Sequence, residues 1–171
     1  MYKSGDILMH PGLGVCEVKE ITKREIAKND IRTYYILKPV YGNSSTTVFL
    51  PVDCDKVNVR KLLSKDEIFE IIHSVPLDKT LWVDNDHERP IVFSEIIKEG
   101  NQANIIKLII ELHKHQRKCL ADGKKFRIVD SKILNEAEKI IHEEFAYSMD
   151  LKLEDVAPFV INELNLNIDE D

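Results

Sequence analysis

The hydrophobic period of this chain changes once, near residue 63, and that change limits the fold more than any single residue does. Before it, apolar residues come in short runs rich in Val, Ile, Tyr and Thr, separated by the turn formers Gly12 and Gly14, Asn29-Asp30 and Gly42-Asn43-Ser44-Ser45. Short strands on short turns predict a small, strongly bent β-barrel of the SH3 or Tudor type. After residue 63 the spacing becomes helical. Ser64-Lys65-Asp66-Glu67 forms a capping-box pattern ahead of Ile68, Ile71, Ile72 and Val75. Pro90 suits the first turn of a helix carrying Phe93, Ile96 and Ile97, and Gly100 suits its C-terminal cap. The next helix is the most apolar: Ile105, Ile106, Leu108, Ile109, Ile110 and Leu112 leave one polar stripe of Asn104, Lys107, Glu111, Lys114 and Lys118. Asp130 is expected to cap a helix whose Ile133, Ala137, Ile140, Ile141 and Phe145 face inward, and a last helix is expected from Val156 to Leu164. The fold class is α+β: a small SH3/Tudor-like barrel over residues 1–60, then an all-α domain of about five helices over residues 64–171.

Composition narrows what such a chain can do. At 171 residues, 43% hydrophobic and 32% charged, it has material for packed cores and a hydrated surface. The first residues, Met1-Tyr2-Lys3-Ser4-Gly5-Asp6, lack the apolar stretch of a secretory signal, and no apolar run approaches a membrane span. The expected home is cytoplasmic. Cys16, Cys54 and Cys119 are odd in number and lack CxxC spacing, which argues for reduced, mostly buried thiols. Residues 1–63 hold ten Lys/Arg against seven Asp/Glu, while residues 64–171 hold fourteen against twenty-three. An acidic helical half is a poor prior for DNA binding, which rests largely on phosphate neutralisation. One segment runs against that trend: His113 to Arg127 carries Lys114, Arg117, Lys118, Lys124, Lys125 and Arg127 against Asp122 alone.

The first fifty residues carry a specific order of features. Gly5-Asp6 opens it, and His10-Pro11-Gly12, a Lys23-Arg24-Glu25-Ile26 turn region, a Tyr34-Tyr35-Ile36-Leu37-Lys38 strand and Thr47-Val48 with Pro51 follow. This order resembles the RNA polymerase interaction domain of the CarD/CdnL transcription regulators. The resemblance implies that the barrel binds the RNA polymerase β subunit by adding a strand edge, with Arg24, Thr47, Val48, Phe49 and Pro51 as contacts. Phe49 stands where actinobacterial members carry an Arg, which implies an apolar contact in place of a charged one. The resemblance further implies that the helical domain meets promoter DNA and wedges Trp82 into the minor groove at the edge of the bubble. Unstacking costs a few kcal/mol, so a ring that stabilises the unstacked step shifts the population toward open DNA. Relatives often follow that Trp with Arg or Lys, whereas here Val83-Asp84-Asn85-Asp86-His87-Glu88-Arg89 follows. Arg89 and His87 remain as phosphate partners, with Lys124, Lys125 and Arg127 as a second contact. The expected DNA affinity is weak and useful only when polymerase tethers the protein.

Each of these residues has a plainer reading. Trp82 can be a packing residue, the Lys114–Arg127 cluster a solvated helix end and Phe49 a core residue. His113, His115 and Cys119 are a poor metal set, because only His115 and Cys119 share a helical face. No phosphate loop, dinucleotide fingerprint, nucleophile elbow or HExxH is present, and the pair Cys54 and His73 rests on co-occurrence alone. The expectation is therefore a non-enzymatic, cofactor-free transcription regulator, associated with the nucleoid through polymerase, with no membrane and no small-molecule substrate. The alternative is a polymerase-binding adaptor whose acidic helical domain recruits another protein and does not bind DNA. A third reading is a barrel that binds some other β edge.

Overall fold

The computed structural model describes residues 1–27, 30–42, 45–54, 57 and 59–166. The expected turn residues Asn29, Asn43 and Ser44 and the acidic end of the tail, residues 167–171, lie outside the described residues. The chain divides into two compact units, Met1–Leu63 and Ser64–Asp171.

The first unit is an antiparallel sheet of β1 (Ile7–His10), β2 (Gly14–Ala27), β3 (Asp30–Pro39), β4 (Val48–Pro51) and β5 (Arg60–Lys61), in the order β4-β3-β2-β1-β5. Its core is Leu8, Cys16, Val18, Tyr35, Leu37 and Leu50, contributed by alternate positions of four strands. Among the described residues no ladder joins β4 to β5, so the sheet does not close into the expected barrel. The Lys23–Ile26 segment is not a turn. It continues β2, with Lys23, Arg24 and Glu25 opposite Thr33, Arg32 and Ile31. A register shift between Val18 and Glu20 inserts one residue into β2, and such bulges bend a strand without ending it. The opening Gly-Asp does make a turn: Gly5 has φ +90°, and the Asp6 carboxylate accepts from the Lys3 amide at 2.7 Å. His10-Pro11-Gly12 is likewise a turn, in which His10 Nδ1 accepts from the amides of Gly12 and Leu13 at 3.0 and 3.2 Å.

The second unit comprises α1 (Lys65–His73), α2 (Arg89–Glu99), α3 (Gln102–Ala121), α4 (Ile128–Met149) and α5 (Leu153–Glu163). Both halves of the Ser64/Glu67 capping box form, Pro90 sits in the first turn of α2, and Gly100 ends α2 with φ 71°. Phe93, Leu108, Leu112, Ile133 and Leu134 form a core where α2, α3 and α4 meet. Burying Phe93 completely stabilises the unit by roughly 1.5–3 kcal/mol. Among the described residues no helix is long and apolar enough to cross a membrane.

Three helical expectations need correction. Asp130 does not cap α4: the cap position is Arg127, and Asp130 lies inside the first turn with no exposed surface. Lys107, expected on the polar stripe of α3, is 5% exposed with its ammonium 2.9 Å from Glu111. Its stem runs through the core and its head donates to the Leu77 carbonyl at 3.4 Å, so a long side chain hides its methylenes while keeping polar partners. Finally, Ile140 is only half-buried, and Leu134 takes the inward place.

Candidate functional site

The sequence residues of interest fall into three places, one in the sheet unit and two in the helical unit. In the sheet unit β4 is an outer strand, paired to β3 through Tyr34–Pro51, Tyr35–Leu50, Ile36–Phe49 and Leu37–Val48. Its other side makes no ladder among the described residues, which is the arrangement that strand addition requires. Alternation turns Leu50 into the core and leaves Phe49 39% exposed on the opposite face. Phe49 is therefore not a core residue. The Arg24 guanidinium lies 4.0 Å from the centre of its ring, so the structure brings these two residues together. Thr47 is exposed just before β4, and Pro51, which has no amide proton, ends the strand.

In the helical unit the loop from Leu81 to Glu88 leads into α2. Trp82 is half-buried: its ring sits edge-on to Phe93 at 5.9 Å and lies 4.1 Å from the His115 ring. The Arg89 guanidinium is stacked over it at 4.7 Å. Inserting this ring into a groove would forfeit all three contacts, so Trp82 is first a packing residue of the helical core. Arg89 departs furthest from expectation. It is 2% exposed and cannot reach a phosphate. Its Nη2 donates to Asp130 at 3.0 Å and to Asp86 at 2.6 Å, and its Nη1 donates to the carbonyl of Val83 at 3.0 Å. Burial works against the guanidinium charge, but the hydrogen bonds to Asp130 and Asp86 outweigh it and hold the pKa above its ordinary value. In return, the Arg89 hydrogen bond lowers the Asp86 pKa. The Asp86 carboxylate also forms an ion pair with Arg127 Nη1 at 3.2 Å, and the Asp86 carbonyl accepts a hydrogen bond from the same group at 3.0 Å. Sequence reasoning missed Asp130 as the partner of Arg89 and His115 as the partner of Trp82, because each pair is more than thirty residues apart in the chain.

The third place is the turn between α3 and α4. Lys124 and Lys125 are exposed there, while Arg127, 38% exposed, is partly engaged by Asp86. Lys124 approaches Asp122 only to 3.8 Å, a contact that holds little of its charge in place. Leu120 and Ile128, which flank the turn, are 70% and 76% exposed. His87 is exposed beside Asp84, Asp86 and Glu88, so any anion it met would also meet three carboxylates. His115 and Cys119 do touch, at 3.5 Å, and burial followed by the Arg89 charge lowers the His115 pKa. Among the described residues no group of three or more His, Cys, Asp or Glu side chains converges on a point that could hold a metal.

Strand order, edge exposure and the paired Arg24 and Phe49 acquire meaning from one comparison: residues 2–63 match the family model described as CarD-like/TRCF RID domain. The sheet unit is similar to a CarD-like/TRCF RID domain over its whole length. The match ends where the sheet unit ends, so residues 64–171 are read from their own chemistry. Comparison with curated proteins finds no match for the chain.

Proposed function

We propose that this protein is a non-enzymatic transcription regulator that docks on the RNA polymerase β subunit through the open edge of β4 and acts at promoter DNA while held there. The observation that carries the reading is the RID domain, with Arg24 and Phe49 stacked beside an outer strand that has one unpaired side among the described residues. Main-chain hydrogen bonds along an added strand supply affinity, and neighbouring side chains supply selectivity. Phe49 in place of a charged contact makes that selectivity partly apolar.

For DNA, the α3–α4 turn is a better contact than the Trp82 loop. Lys124 and Lys125 are exposed and only weakly engaged, whereas Arg89 is buried and the loop presents Asp84, Asp86 and Glu88. Cations at the turn meet phosphates, and the exposed Leu120 and Ile128 offer apolar surface to a widened minor groove. Two lysines give weak affinity on their own, and tethering by the RID domain supplies the effective concentration that makes it count. The net effect is a longer-lived open promoter complex.

A second reading, an adaptor that recruits another protein and never touches DNA, is favoured by the carboxylates around Trp82. One experiment separates the two, using the full chain, polymerase holoenzyme and a single promoter. Arg24→Glu is expected to weaken polymerase binding about tenfold, in line with the 1–2 kcal/mol of an interface hot residue. Lys124→Glu with Lys125→Glu is expected to leave polymerase binding intact while shortening open-complex lifetime and flattening its salt dependence. Unchanged lifetime with intact binding would remove DNA contact and leave the adaptor; unchanged binding of Arg24→Glu would remove β4 as the dock.

A further inference from the structure

One edge of β2 is covered over only part of its length. On one side β2 pairs with β3 from Cys16 to Ala27, whereas on the other β1 reaches only from Gly14 to Glu17. Val18 extends that contact through backbone hydrogen bonds with Gly5 and Asp6, at 2.7 and 2.9 Å. Among the described residues no strand pairs with this side of β2 beyond that point. The uncovered stretch begins Glu20-Ile21-Thr22-Lys23-Arg24, exposed except for the half-buried Thr22. Charged side chains on an open edge discourage indiscriminate pairing, and their order here rejects most registers but admits one.

A closed pair of copies joined at this edge is antiparallel about a twofold axis normal to the sheet, which keeps every side chain on its own face. Residues that meet must then share parity, so the axis passes through a residue and not between two. An axis at Lys23 sets two ammonium groups against each other, and one at Ile21 sets Lys19 against Lys23 twice. At Glu20 or at Arg24 the axis sets that residue against its own copy. At Thr22 the charges instead agree: Glu20 of one copy meets Arg24 of the other, twice by symmetry. Ile21 meets the methylenes of Lys23, and the two Thr22 side chains face each other. Neither Glu20 nor Arg24 has an ion-pair partner among the described residues. Arg24 is stacked on Phe49 by its guanidinium face, and its N–H groups lie at the edge, where a carboxylate would accept them.

We propose that this protein forms a twofold homodimer in which two β2 strands pair antiparallel about Thr22, joining two sheets into one. The contact is short, so the dimer is weak and depends on concentration. It draws on Arg24, which the docking reading above offers to polymerase, but the pairing itself does not rest on that reading.

The test is sedimentation velocity of the full chain, without polymerase, from micromolar to millimolar concentration at low salt. The parent chain is expected to pass from monomer to dimer, and added salt to shift it back. Glu20→Arg sets cation against cation on both outer rungs, and Arg24→Glu sets carboxylate against carboxylate. Each variant alone should associate about tenfold more weakly, with unchanged circular dichroism. Mixing the two should restore association, because both rungs of the mixed dimer then pair opposite charges. Both substitutions in one chain should restore it as well. A parent chain that stays monomeric at millimolar concentration would overturn the proposal. So would a dimer that both single variants leave intact, which would place the contact elsewhere, or a mixture that fails to associate, which would refute the register.

Discussion

Arg24 and Arg89 each lay a guanidinium over an aromatic ring, Phe49 at 4.0 Å and Trp82 at 4.7 Å, yet they occupy opposite situations. Arg24 is exposed on a strand two places from the open edge of a sheet; Arg89 is 2% exposed and anchored by two carboxylates and backbone carbonyls. The first pair faces solvent, which suits the polymerase contact proposed for it. The second is already committed to the fold, because a buried cation is stable only when its hydrogen bonds are satisfied in place. In sequence both look like a basic residue near an aromatic one. Their surroundings, not their residue types, decide which is exposed enough for a contact and which is a strut.

The sharpest way to break this comparison is to remove each guanidinium. Arg89→Met strands the Asp130 carboxylate, which has no exposed surface, and is expected to cost about 3–5 kcal/mol in urea unfolding. Arg24→Met should stay within about 0.5 kcal/mol of the parent in the same measurement. Similar losses for the two would show that Arg24 is structural as well. A smaller effect separates packing from wedging: Trp82→Ala should cost about 2–3 kcal/mol, less than a wholly buried Trp, because the ring is only half-buried. Trp82→Phe should recover most of that stability. If Trp82→Ala unfolds like the parent, the stacking on Phe93 and His115 contributes little and the ring is free to serve elsewhere.

Much of this was legible in the chain. The capping box at Ser64, Pro90 in the first turn of α2 and Gly100 after it are local signals, each set within four residues, and all three appear in the structure. So is the change from strands to helices, because periods of two and 3.6 need no distant partner. What the sequence hid was long-range. Asp130 read as a helix cap because Asp suits that role, and nothing nearby in the chain reveals that Arg89, forty-one residues away, would claim its carboxylate. Lys107 read as one residue of a polar stripe; the Leu77 carbonyl that takes its ammonium lies thirty residues back. Phe49 was ambiguous for a different reason, since three consecutive apolar residues in β4 allow either face, and only the register against Ile36 fixes which one it takes.

The smallest expected effect uses Trp82, the only tryptophan, as its own reporter. Burial, and then the Arg89 charge, lower the pKa of His115 from its ordinary 6.5. Between 6.5 and the lower folded value the unfolded chain binds more protons than the native one, so this contribution to stability is full above 6.5 and is lost as the pH falls through that window. A protonated imidazole 4.1 Å from the indole quenches its emission, so fluorescence should fall with a midpoint below 6.5. His115→Gln should abolish the transition. A midpoint above 6.5 would mean that the Asp130 and Asp86 carboxylates outweigh burial and the Arg89 charge at the ring, and the contrast between the two arginines would soften.

The brevity of β4 has a consequence for assembly. Four residues ending in proline can template one short guest strand, but Pro51 offers no amide to carry a ladder further along the chain. A margin that makes no ladder among the described residues is an invitation to fibrils when it is long and flat; cut to this length, it would give the proposed docking strand a single-berth mooring, able to receive one visitor without seeding a queue.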